Sequence, residues 1–171
     1  MSTPLRRAII DLEAISANVS RLRELTPTEN TMVVVKANGY GHGAVTAARA
    51  AIAGGANWLG VADITEALEL RRAGVGQPVL AWLHSADEDF REAVAAGVAI
   101  GASTLEHLDA LSQTDSPRVH LKIDTGLGRN GAGSNELAKF FARASELHHA
   151  GKIVVDGLMS CLLYTSDAAD E

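Results

Sequence analysis

From Met32 onward the chain alternates short apolar runs with longer amphipathic ones. Met32–Val35, Trp58–Ala62, Pro78–Leu83, Val98–Ala102, Val119–Ile123 and Ile153–Met159 are near-continuous apolar segments, several rich in β-branched residues. Their length and composition predict strands buried on both faces, as in a parallel sheet. Between them, Ala44–Ala53, Ile64–Ala73, Asp87–Ala96, Thr104–Leu111 and Ser134–His149 carry apolar residues at helical spacing. Ser134 or Asn135 is the predicted N-cap of the last. Gly54-Gly55, Gly74, Gly97 and Ser116-Pro117 punctuate the pattern. Upstream, Arg7–Leu12 predicts a short strand, and a helix running to Leu25 is capped by Asp11 or Ser16.

Counted from Met32, six strands alternate with five helices, and no linker interrupts them. Such alternation implies right-handed βαβ units around a parallel sheet. Two architectures satisfy it: an open doubly wound sheet and an incomplete (β/α)8 barrel of the TIM type. Periodicity does not choose between them. In either, ligands bind at the carboxyl ends of the strands, where Lys36, Asp63, His84, Ser103 and Asp124 fall.

A chain of 171 residues with 47% hydrophobic content fits one globular domain. Its net charge of -6, without a basic run, gives nucleic acid or an anionic membrane no electrostatic support and leaves small-molecule chemistry. Cys161 is the single cysteine, so there is no internal disulfide framework, which suits a reducing cytoplasm. No apolar stretch approaches the ~20 residues of a membrane span, and Met1–Arg7 lacks the apolar core of a signal peptide. The expected location is the cytoplasm. His84, His107, His120, His148 and His149 show no metal-ligand spacing, so no metal is expected.

The chemistry concentrates in Val33–Gly43, Val-Val-Val-Lys-Ala-Asn-Gly-Tyr-Gly-His-Gly. Lys36 stands at the end of a buried strand, where partial desolvation favours the neutral amine that can attack an aldehyde, most often pyridoxal phosphate. Gly39, Gly41 and Gly43 permit positive φ and close backbone approach, and the helix from Ala44 can receive an anion at its N-terminus. Tyr40 offers a phenol to a phosphate, and His42 supports the loop. A solvated lysine in a surface turn is the plain alternative. Gly39, Gly41 and Ala44 also satisfy G-x-G-x-x-A, with Asp63 placed as a ribose-binding acid, so a dinucleotide fold is a rival. That rival gives Lys36 no role. Downstream, Lys122-Ile-Asp-Thr-Gly-Leu-Gly-Arg-Asn-Gly131 follows a buried strand, and its loop can aim Arg129 back at the strand ends. The plain reading is a surface turn with an Asp124–Arg129 salt bridge. Trp82, near a strand end, lines a pocket there or packs in the core.

Lys36–Gly43 closely resembles the pyridoxal phosphate attachment motif of alanine racemases, differing mainly at Gly39, where alanine is common. Lys122–Gly131 resembles a second block of that family, and the resemblance runs from about Arg7 to about Ser160. It favours the barrel. It implies that Lys36 holds the cofactor as an aldimine and serves as one acid/base group, that Tyr40 binds the cofactor, and that Arg129 contacts the cofactor's phenolic oxygen side and the substrate. Lys122 matches a lysine that is carbamylated in many members. The implied activity interconverts L- and D-alanine, supplying D-alanine for peptidoglycan, in a homodimer whose partner contributes a tyrosine as the opposite acid/base group. Racemases acting on serine or a broader amino-acid range, and a non-catalytic pyridoxal phosphate carrier, share most of these features.

Asp156–Ser160 resembles a strand that the family follows with a histidine, where this chain has Cys161. Residues 161–171 depart from the family and resemble translated sequencing-adapter read-through. The expectation is a partial barrel domain over 1–160, a non-native tail over 161–171, and no C-terminal β domain. A chain of that kind holds half of the proton machinery. It is also expected to leave the Lys36 and Val154 strands as open apolar edges, prone to aggregation and without activity.

Overall fold

The strands pair in the order in which they occur in the chain. In this computed structural model, which describes residues 6–85 and 87–161, β1 (Met32–Val34), β2 (Trp58–Val61), β3 (Val79–Ala81), β4 (Val98–Ala102), β5 (Arg118–Ile123) and β6 (Val154–Ser160) form one six-stranded sheet ordered β1-β2-β3-β4-β5-β6. Every pairing is parallel. A doubly wound sheet reverses its strand order at a switch point, and none is present here. The open-sheet reading, and with it the dinucleotide rival, is thereby corrected: the architecture is an incomplete (β/α)8 barrel.

The helices are α1 (Leu12–Leu25), α2 (Lys36–Tyr40), α3 (Ala44–Ala53), α4 (Ile64–Arg72), α5 (Arg91–Ala95), α6 (Leu105–Leu111) and α7 (Leu137–His149). α1 packs on α3, α3 on α4, α4 on α5 and α6 on α7, an outer layer following the sheet. Between the layers, Leu59, Val61, Val79, Ala81, Ile100, Val119, Leu108 and Leu111 are wholly buried. The central strands are covered on both faces, as their unbroken apolar sequence requires. On β6 burial alternates, and Leu158 is 62% exposed. Two close approaches fix the outer layer. A Cβ on Gly54 would lie 2.3 Å from the Ser16 carbonyl oxygen, so only glycine lets α1 lie against the end of α3. Arg71 spans four carbonyls, those of Val75, Gln77, Ala96 and Gly97, at 2.7–3.0 Å, tying α4 to the segments that enter β3 and β4.

Three local expectations are corrected. Arg7–Leu12 is no strand: residues 6–11 are irregular and Ile9 is 73% exposed, because none of the described strands pairs with them. The Asp87–Ala96 helix begins only at Arg91, since the Asp89 carboxylate takes the Arg91 N–H and guanidinium and holds the preceding residues out of the helix. α7 starts at Leu137 behind Glu136, with Ser134 and Asn135 in a turn closed by Glu136 N–H on the Gly133 carbonyl. Of the two candidate caps on α1, Asp11 acts, its Oδ1 accepting from Ala14 N–H at 3.0 Å. Residues 162–171 lie outside the described segment.

Candidate active site

β1 ends in a tight left-handed turn. Immediately after Lys36, the residues Ala37, Asn38, Gly39 and Tyr40 all have positive φ, from 52° to 62°, so α2 is one turn of left-handed helix. For side-chain-bearing residues that sense costs about 1–2 kcal/mol each, and a cluster of such residues is found where function holds it in place. Here it is held by several hydrogen bonds. Gly39 N–H donates to the Val35 carbonyl at 2.8 Å and Gly43 N–H to the Asn38 carbonyl at 2.8 Å. The Asn38 side chain accepts from Ala44 N–H at 2.9 Å, capping α3 from outside. His42 Nδ1 lies 2.7 Å from the Gly39 carbonyl, the supporting role anticipated for it. The Glu66 carboxylate accepts from Ala37 N–H at 2.6 Å and from Ala62 N–H at 2.8 Å. Sequence reasoning missed Glu66 and Asn38; the spacing Asp63-x-x-Glu66 at a helix start signals a capping box, but Glu66 turns away from α4.

The turn faces a cavity of about 280 Å³ at the carboxyl ends of the strands. Lys36 and Tyr40 line one side, with the Lys36 ammonium 6.0 Å from the Tyr40 ring centroid. Lys122 and Arg129 line the other, and Trp82 forms part of the wall. Trp82 lies against strands made thin by glycine: a Cβ on Gly60 would come 2.7 Å from its ring, and one on Gly101 2.8 Å from its Cβ. Lys122 is only 3% exposed. Burial lowers its pKa from the usual lysine range, the nearby Cys161 thiol opposes this, and Arg129 and Lys36 add to it. A larger fraction of Lys122 is therefore the neutral, nucleophilic amine.

Arg129 reaches the cavity through the loop after β5. Ala132 returns to the strand, its N–H donating to the Lys122 carbonyl at 2.9 Å and its carbonyl accepting from Asp124 N–H at 3.0 Å. Gly131, with φ of 134°, permits that return, for a Cβ there would sit 2.6 Å from the Asp124 nitrogen. Asp124 does not pair with Arg129, which corrects the salt-bridge reading. Its Oδ1 accepts from Gly126 and Gly128 N–H at 2.9 and 3.0 Å, and these bonds, Gly128 first, hold its carboxyl below the usual range. Arg129 instead places Nη2 2.6 Å from the Cys161 sulfur, across the cavity mouth.

Of the five residues at strand ends, Lys36 alone lines the cavity. Asp63 caps α4 through Glu66 N–H, and Ser103 donates to Asn130 Oδ1 at 2.7 Å beneath the Arg129 loop. His84 packs edge-on against Phe90. No group of three or more His, Cys, Asp or Glu among the described residues is placed to hold a metal ion.

The fold and site thus define a parallel β/α barrel domain with Lys36, Lys122 and Arg129 gathered around one cavity at the carboxyl ends of its strands. The chain belongs to the alanine racemase family, matching its N-terminal domain over residues 10–171. It is 47% identical over 160 residues to the alanine racemase of Thermobifida fusca (strain YX), covering 91% of this chain and 43% of that protein. To the Mycobacterium avium (strain 104) alanine racemase it is 46% identical over 171 residues, 97% of this chain and 44% of the relative. The chain therefore spans less than half the length of these curated relatives. Among solved structures it superposes with a TM-score of 0.86 on the alanine racemase from D-cycloserine-producing Streptomyces lavendulae, at 41% identity over 88% of this chain and 41% of the other. The Streptomyces coelicolor A3(2) alanine racemase gives a TM-score of 0.85 at 39% identity, over 94% and 46%. Among the described residues no helix is long and apolar enough to cross a membrane.

Proposed function

We propose that this domain holds pyridoxal 5'-phosphate and serves an alanine racemase that interconverts L- and D-alanine. The observation that carries the reading is the cavity itself, where Lys36, Lys122 and Arg129 converge with the Tyr40 ring. An anionic aldehyde needs an amine to bind covalently and cations to offset its charge, and the residues present fit it. When bound, pyridoxal phosphate delocalises the charge left on a carbon that gives up a proton. Lys36 is the covalent anchor and the proton carrier on one face of that carbon. The Tyr40 phenol binds phosphate, and Arg129 faces the phenolic oxygen side and the substrate carboxylate. Lys122, buried and inclined to the neutral amine, takes up carbon dioxide to give a carbamate that turns a third cation into a partner for Arg129.

Inversion also needs a group on the opposite face, and on the family pattern a second subunit's tyrosine supplies it, in a cytoplasmic homodimer making D-alanine for peptidoglycan. The domain reading is a partial barrel over 1–160 with a foreign tail over 161–171. Borohydride reduction after incubation with pyridoxal phosphate, followed by peptide mass spectrometry, tests the anchor. A pyridoxyl adduct on Lys36 is expected, and an adduct absent from Lys36 overturns the reading. D-alanine formation by the full protein tests the substrate, and turnover of serine alone would replace alanine.

A further inference from the structure

We infer that Glu66 is a positioning residue for Lys36, acting through the backbone of the left-handed turn; the inference rests on the cofactor reading above. β1 follows the parallel ladder as far as Val35, whose N–H donates to the Gly60 carbonyl at 2.8 Å. The next rung would join Ala37 N–H to the Ala62 carbonyl. It does not form, because the Ala62 carbonyl is taken by Trp82 and Leu83 N–H at 3.1 and 2.7 Å, and the chain has already turned at Lys36. Two donors at the site are thereby left without a ladder partner, Ala37 N–H and Ala62 N–H. Glu66 accepts both, one on each carboxylate oxygen. A two-pronged, charged acceptor fills the missing rung and spans the two strand ends.

The consequence for Lys36 is geometric. Its side chain leaves the backbone at the hinge between an extended strand and a left-handed turn, and the Ala37 N–H belongs to the peptide unit that Lys36 opens, so a bond that holds this N–H fixes the ψ of Lys36 and the base from which the amine projects. Ala37 is not glycine, and its φ of 52° and ψ of 51° persist only while the surroundings hold them. The carboxylate bonds the very N–H that the turn would otherwise strand. Glu66 itself is fixed from below, its own N–H donating to Asp63 Oδ1 at 2.9 Å as the first turn of α4. The aim of the lysine is thus set by a carboxylate from the second β/α unit, one that does not line the cavity.

The test compares wild type, Glu66→Gln and, as a control on the same helix, Glu69→Gln, in the full protein and at a temperature where all three are folded. Two quantities are read. Amide hydrogen exchange at Ala37 and Ala62 reports the fork directly, without cofactor. The rate at which borohydride-trappable pyridoxyl adduct appears on Lys36, followed across pH, reports the aim of the amine. An amide group accepts on one atom only, so Glu66→Gln is expected to release one of the two N–H groups to exchange. It should also slow adduct formation about 10- to 100-fold, the cost of an ångström-scale misplacement. The strands β2–β4 should keep their protection, and Glu69→Gln should match wild type. Protection of both amides together with a rate within twofold of wild type overturns the proposal. So does loss of protection throughout the sheet, which makes Glu66 a general fold residue. If wild type forms no adduct on Lys36, the cofactor reading falls and the positioning role falls with it; slow or absent adduct in Glu66→Gln alone, with one of the two amides released, supports the positioning role.

Discussion

His84 makes the domain lose stability in mild acid, by an amount that its surroundings fix. The ring lies beyond β3, edge-on to Phe90 at 5.1 Å and to His107 at 6.0 Å. One ring nitrogen, Nε2, is 3.0 Å from the Ala81 carbonyl; the other, Nδ1, is buried with no partner among the described residues. Desolvation lowers its pKa from 6.5 to about 4, the Ala81 bond and Asp63 pull the other way, and His107 and Lys122 add to the lowering. At pH 7 the folded ring is neutral and the unfolded one mostly so, and the pH dependence is slight. Below 6.5 the unfolded chain takes up a proton that the folded ring refuses until about 4, so the unfolded state gains and stability falls through that window. The full fall is about 3 kcal/mol, of which roughly 2 kcal/mol is gone by pH 5. Urea unfolding from pH 7.5 to 4.5 measures it against His84→Gln, which keeps a donor for Ala81 and cannot titrate. The variant should be the less stable at pH 7, for want of ring packing, and the gap should narrow by about 2 kcal/mol at pH 5. A gap that stays constant with pH would refute the argument, since the other titrating groups act alike in both proteins.

Gly131→Ala should lower stability by about 3 kcal/mol, because a Cβ would meet backbone atoms at 2.6 Å at a φ of 134°, and thermal melts with pyridoxal phosphate titration should show a weaker site as the Arg129 loop shifts. Arg71→Met removes the donors to four carbonyls and should cost about 2–4 kcal/mol in urea melts with the cavity residues undisturbed. Incubation with ¹³C-bicarbonate should give a carbamate NMR signal that strengthens as pH rises toward the lowered Lys122 pKa and is lost in Lys122→Arg, whose guanidinium stays protonated.

The central strands were legible because burial on both faces leaves an unbroken apolar run, and Val98–Ala102 is strand at those same limits; Ala44–Ala53 is likewise helix as read. Lys36 was legible for a different reason, as glycine marks places where the backbone must be unusual. What stayed hidden depends on contacts distant in sequence. Ala37 and Tyr40 give no sign of left-handed φ, since Glu66, twenty-nine residues on from Ala37, holds the turn. Asp124 and Arg129 look like a pair until the loop geometry gives Asp124 the glycine N–H groups instead. Arg7–Leu12 has the pattern of a strand, but pattern supplies no partner.

Sequential strand order has a bearing on how the domain comes into being. Each strand pairs with the one made just before it, and the longest jumps between paired residues are those of β5 to β6, such as His120 to Gly157. Loops of that size close at modest entropic cost, so the sheet can grow from its first β/α/β unit outward as the polypeptide leaves the ribosome. β1, with Lys36, belongs to the earliest unit, whereas Lys122, Arg129 and Met159 on the far wall arrive last. Lys36 is therefore in place in the sheet before the opposite wall of the cavity is made, and the cavity takes shape only once β6 has paired with β5.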